Sequence, residues 1–131
     1  DPAAMGAVEA RFDRNIAIAK AKCPEVAVHK IKSRSNHALA KLLPEHAESF
    51  DFIYVDGSHQ AADVLTDLTL AFGLCRVGGL IACDDYLWQF GQNPLLVPKI
   101  AIDSFVNCFT LKVAPLNGVP LDQLWIRKRA A

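Results

Sequence analysis

Several things are missing from this sequence, and each absence removes a class of function. No apolar run approaches the roughly 18 residues that a membrane span needs, and no charged-then-apolar leader opens the chain. Charge of one sign is missing too: 14 Lys and Arg balance 14 Asp and Glu, and the longest basic cluster is Arg127, Lys128 and Arg129. Neither a nucleic-acid partner nor an anionic membrane surface is therefore expected. The four cysteines, Cys23, Cys75, Cys83 and Cys108, are widely spaced with no C-x-x-C pattern, and three sit in apolar segments. They read as reduced core thiols, which together with the missing leader makes the cytoplasm the expected compartment. The chain also begins at Asp1 rather than at a methionine. Either it is a piece of a longer chain, or Asp1 to Ala4 is a cloning remnant placed before Met5.

What is present is a globular composition. With 131 residues, 52% of them hydrophobic and 21% charged, residues 1–131 are expected to form one domain with a sizeable core. Val8, Phe12, Ile16 and Ala19 recur at helical spacing, which predicts an amphipathic helix over Met5 to Lys22. "VAVHKIK", Val26 to Lys32, alternates apolar and polar residues and predicts a strand. Ala38 to Leu43 predicts a short helix stopped by Pro44. Phe50 to Val55 is a continuous apolar run of the kind buried on both faces of a parallel sheet. Val64, Leu68, Ala71, Phe72 and Cys75 mark one stripe of a helix over Ala61 to Cys75. "RVGG" then breaks it before a short strand, Leu80 to Cys83. Pro98 suits the first turn of a further helix whose Ile102, Phe105, Val106 and Phe109 share a face. Thr110 to Leu116 and Leu121 to Lys128, joined by "NGVP", predict an antiparallel hairpin. This alternation implies a parallel α/β sheet closed by a hairpin, a layout in which ligands bind beyond the carboxyl ends of the strands.

Two of the predicted strands run straight into acid at that rim. Asp56 follows the first, and Asp84 with Asp85 follows the second. Neighbouring strands lie about 4.8 Å apart, so three carboxylates would converge and repel unless a cation stood between them. A divalent ion with hard oxygen ligands, Mg²⁺ above all, answers that need. The competing structural role is helix capping by the same carboxylates. His59, three residues after Asp56, could take a proton from a bound hydroxyl or orient a carboxylate. Gly57 between them permits positive φ or a close ligand approach.

"FDFIYVDGSHQAADVLTDLTLAFGLCRVGGLIACDDYLW", Phe50 to Trp88, resembles the fourth-to-fifth-strand region of class I S-adenosylmethionine-dependent methyltransferases, in the branch with an Asp-Gly-x-His turn and a "GG…DDY" strand. "EARFDRNIA", Glu9 to Ala17, is similar to the helix after the second strand of that fold, and the hairpin is similar to its sixth and seventh strands. The resemblance implies an incomplete Rossmann-like three-layer sandwich. It further implies S-adenosylmethionine as cofactor, methyl transfer to a hydroxyl of a small molecule or sugar, and Mg²⁺ held by Asp56, Asp84 and Asp85. On the same basis Ser35, Asp56 and Gly57 would contact the cofactor, with Ser35 near its adenine end, and His59 would be the candidate base.

The sequence departs from that family in one region. It has no G-x-G-x-x-G and no acid-tipped strand ahead of the first helix, so the first two strands of the fold and their glycine-rich turn are not represented. In the family strand order 3-2-1-4-5-7-6, the strand "DFIYV" would then lack its central neighbour. An open apolar edge invites association, so the chain is expected either to pair its "VAVHKIK" and "DFIYV" strands directly or to borrow strands from another copy as a homo-oligomer. The alternative functions are a non-catalytic truncated module acting in assembly or interaction and, less favoured, a metal-dependent hydrolase using the same acids on water.

Overall fold

The computed structural model describes residues 2–88 and 93–131, which fall into two compact units, Asp1–Lys32 and Ser33–Ala131. The first is built on helix α1 (Pro2–Lys22), whose closing turn carries Lys20 and Lys22 against the negative end of the helix. The segment that follows forms no strand. Its lysines turn back on the helix instead: Lys30 Nζ donates to Glu9 Oε1 at 2.8 Å and to Asp13 Oδ1 at 2.7 Å, and Lys32 Nζ donates to Glu9 Oε2 at 2.6 Å. These two ammonium groups hold the Glu9 carboxyl down at about 2. Val26 and Ile31 stay about half exposed. The predicted Val26 to Lys32 strand fails because a strand needs a neighbour for its backbone groups, and one helix supplies none.

The second unit runs α2 (Ser35–His46), β1 (Phe50–Val55), α3 (Ala61–Leu74), β2 (Cys75–Cys83), a 3₁₀ turn at Pro94–Leu96, α4 (Lys99–Cys108), β3 (Val113–Pro115) and β4 (Leu124–Lys128). The four strands form one sheet in the order β1-β2-β4-β3. β1 and β2 are parallel, with Ile53 beside Ile81 and Val55 beside Cys83. β4 returns antiparallel to β2, and the hairpin closes with Val113 opposite Lys128. This is the 4-5-7-6 portion of the expected strand order, ending in the expected hairpin, so the incomplete Rossmann-like fold is what the chain adopts.

One face of the sheet meets α3 and α4. Val64, Leu68, Ala71 and Phe72 of α3 pack with Ile102 and Phe105 of α4 over Ile81, Cys83 and Ile126. Lys128 is buried at 2% exposure, and its ammonium donates to Phe72 O, Cys75 O and Glu48 Oε1 at 3.0, 2.9 and 2.8 Å. It thereby satisfies carbonyls at the C-terminal end of α3, where positive charge is favoured.

Four sequence expectations change. β1 lies at the sheet edge, paired with β2 alone among the described residues, and is not buried on both faces: Phe52 and Tyr54 stay 46% and 45% exposed on the face away from α3. The "RVGG" segment belongs to β2, whose register with β1 jumps between Phe50 and Phe52. Gly79 is required there, since a Cβ would sit 2.7 Å from Cys75 Sγ and 2.9 Å from Asp51 O. Pro44 lies inside α2 rather than stopping it, so the helix runs on to His46 at the cost of the bond that an N–H at position 44 would give to Ala40 O. Two cysteines, Cys75 and Cys83, are buried, whereas Cys23 and Cys108 are exposed; all four are free thiols.

Candidate functional site

The parallel pairing of β1 and β2 brings their carboxyl ends level, and the residues just beyond them build the site. Asp56 follows Val55, and the Asp84 N–H donates to Val55 O at 3.0 Å, continuing the ladder one step past the strands. A small cavity of about 10 Å³ lies here, lined by Asp56, Gly57, His59, Asp84, Asp85 and Pro98 among others. That is room for about one water or one ion.

His59 Nε2 lies 2.7 Å from Asp85 Oδ2. The imidazole also stacks on Trp88, ring centroids 4.2 Å apart, so both its edge and its face are fixed. Asp56, His59 and Asp85 each bring one donor atom within 4.8 Å of the others. Partial burial, then the charges of Asp84 and Asp85, push the Asp56 carboxyl above its ordinary value, while His59 pulls it back. A divalent cation among these donors would relieve that repulsion, so the donor set fits one.

Asp84 points elsewhere. Its Oδ2 accepts from the Tyr54 hydroxyl at 2.5 Å, and its Oδ1 accepts from Gln123 Nε2 at 3.1 Å. The Tyr54 bond is the main reason the Asp84 carboxyl lies below its ordinary value, and the same bond pushes Tyr54 up to about 12. Of the three acids that the sequence nominates, the structure thus groups Asp56 and Asp85 with His59 and ties Asp84 to the far face of the sheet.

Ser35 and Gly57 are brought together with a residue the sequence reading passed over. Ser35 Oγ donates to Asp67 Oδ2 at 2.6 Å. A Cβ on Gly57 would stand 3.3 Å from Asp67 Oδ2 and 3.4 Å from Ser35 Oγ, so glycine gives the turn room to close over this pair. Asp67 is 2% exposed, its Oδ1 has no protein partner, and burial raises its carboxyl. The signal was available: Asp67 falls on the apolar stripe of α3, three residues after Val64 and beside Leu68, where an acid has no ordinary reason to be.

One parallel pair, two antiparallel pairs and acids just beyond the parallel strand ends match the second half of the class I methyltransferase sheet. The family model described as "Methyltransferase domain" matches residues 2–86, and the chain belongs to that family. Among solved structures it is similar to MycE methyltransferase from the mycinamycin biosynthetic pathway, crystallised with Mg, SAH and mycinamycin VI, at 20% identity and a TM-score of 0.58 over 76% of this chain and 31% of that one. It is also similar to a structural-genomics protein from Corynebacterium glutamicum, at 16% identity and a TM-score of 0.63 over 93% of this chain and 58% of that one. No curated protein sequence matches it. The chain spans about a third of MycE and under two thirds of the C. glutamicum protein.

Proposed function

We propose that the protein carrying this chain transfers a methyl group from S-adenosylmethionine to a hydroxyl of a small molecule or sugar, with His59 as the base. The observation that carries the reading is the His59–Asp85 pair at 2.7 Å beside Asp56, at the open ends of two parallel strands in a methyltransferase domain. MycE, of the same fold, was crystallised with Mg and SAH, which supports the cofactor and the ion.

A carboxylate can only accept a hydrogen bond, so Asp85 holds the proton on Nε2 and leaves the lone pair on Nδ1. Nδ1 is then the atom that takes the hydroxyl proton as oxygen bonds to the methyl carbon and the methyl–sulfur bond breaks, its electron pair leaving with S-adenosylhomocysteine. The Trp88 ring keeps the imidazole plane fixed during that transfer. Asp56 and Asp85 would hold Mg²⁺, which when bound lowers the pKa of a coordinated hydroxyl. Asp84 serves at one remove, bracing Tyr54 and Gln123 across the sheet. The side chains of Ser35 and Asp67 would set the height of the Asp56–Gly57 turn against the cofactor.

The test is calorimetry of S-adenosylmethionine against the longest protein that contains this chain. Saturable heat supports the assignment. No heat, with the protein folded by circular dichroism, removes it and favours a non-catalytic assembly module.

A further inference from the structure

The acid that orients His59 is itself in an unfavourable conformation. Asp85 has φ +55°, in the left-handed region, which costs a non-glycine residue on the order of 1 kcal/mol and persists only where neighbours enforce it. Its backbone is pinned on both sides. The Asp84 N–H is bound to Val55 O, the Tyr86 N–H donates to Asp122 O at 2.7 Å, and the Trp88 N–H donates to Asp85 O at 2.9 Å.

The side chain of Tyr86 adds a second tether, to α4. Its hydroxyl donates to Asp103 Oδ1 at 2.8 Å and accepts from Lys99 Nζ at 2.8 Å, while Lys99 Nζ also donates to Asp103 Oδ2 at 2.6 Å. The three groups close a ring of hydrogen bonds, and the ammonium lies 4.6 Å from the Tyr86 ring centroid. Asp103 first, then the Tyr86 hydroxyl, holds Lys99 above its ordinary value, which keeps the ring charged and intact. The helix so gripped is the one whose first turn reaches the cavity through Pro98 and Ile102. Packing alone does not require this arrangement, because a phenylalanine ring would fill the same space against the core.

We infer that Tyr86 is a positioning residue: through Lys99 and Asp103 it fastens the Asp85 segment to α4, so that Asp85 holds His59 in a single tautomer. The inference rests on the His59–Asp85 reading of the site but not on a bound metal or on turnover. Long-range ¹H–¹⁵N spectra of the His59 ring in metal-free protein test it, with wild type expected to show mainly the Nε2–H form. In Tyr86→Phe the ratio of the two tautomers should move toward unity by at least roughly threefold, while the fold survives. Should Tyr86→Phe fail to fold, Asp103→Asn, which leaves Tyr86 in place, should shift the ratio in the same direction. A variant ratio equal to wild type overturns the positioning role and leaves the His59–Asp85 reading standing. A wild-type protein with no preferred tautomer overturns both.

Discussion

His59 Nε2 and Asp85 Oδ2, 26 positions apart in sequence, meet at 2.7 Å because β1 and β2 are adjacent parallel strands that end level with each other. If this pair moves the proton, His59→Gln should lower kcat by roughly 10²- to 10⁴-fold, the usual worth of a positioned general base. Release of S-adenosylhomocysteine at saturating substrate gives the answer, and an unchanged kcat would show that His59 is not the base.

The three rim acids should separate in metal affinity. Asp56→Ala and Asp85→Ala each remove a donor of the 4.8 Å cluster, whereas Asp84 is committed to Tyr54 and Gln123. Titration of Mn²⁺ by electron paramagnetic resonance should show losses of roughly tenfold or more, about 1.4 kcal/mol, for the first two and a much smaller one for Asp84→Ala. Equal losses at all three positions would mean that Asp84 leaves Tyr54 to join the ion.

The difference between these acids marks how far the sequence could be read. Apolar runs ending in Asp56 and in Asp84–Asp85 placed the acids at the rim, since a strand buried on one or both faces must end where its polar residues begin. Which of two consecutive acids faces the site depends on the left-handed φ of Asp85, a local choice that residue types do not record. Alternation misled at Val26 to Lys32 because it reports a strand's faces and says nothing about a partner for its edges. Asp67 was legible in principle as an acid on an apolar stripe, but its link to Ser35 and Gly57 joins elements 32 positions apart and needs the fold.

Asp67 should leave a signature in the pH dependence of stability. Its carboxyl is raised by burial, so the neutral form is the one the fold favours. Its contribution is complete below the ordinary carboxylate value and is lost as pH rises through the raised folded value. In Asp67→Asn, which cannot ionise and still accepts from Ser35, that loss disappears. Urea unfolding should therefore find the variant gaining on wild type as pH rises above about 4, the ordinary carboxylate value. A stability difference that is flat with pH would show that Asp67 is not desolvated in this way.

Lys128 should be the most sensitive charged residue for stability. Its ammonium satisfies Phe72 O and Cys75 O inside the core, and replacing it by methionine keeps the stem while stranding those carbonyls. The expected cost is about 1–3 kcal/mol, read from the shift in the urea midpoint at constant slope. A neutral result would mean that water reaches the carbonyls when the ammonium is gone.

The free edge of β1 sets the behaviour of the 131-residue chain in solution. β1 is six residues long, pairs with β2 alone among the described residues, and carries no lysine or proline to discourage another strand. Phe52 and Tyr54 are nearly half exposed on one face, and Phe52 leans on Trp125 with ring centroids 5.6 Å apart, which extends the apolar surface across the sheet. Unpaired backbone groups beside exposed aromatic rings favour pairing with a second copy. Light scattering of the chain should therefore give a mass of at least two copies. Phe52→Lys, which puts a charge on that face without touching the α3 side, should shift it toward one copy. A wild-type chain that remains monomeric at high micromolar concentration would remove the self-pairing account.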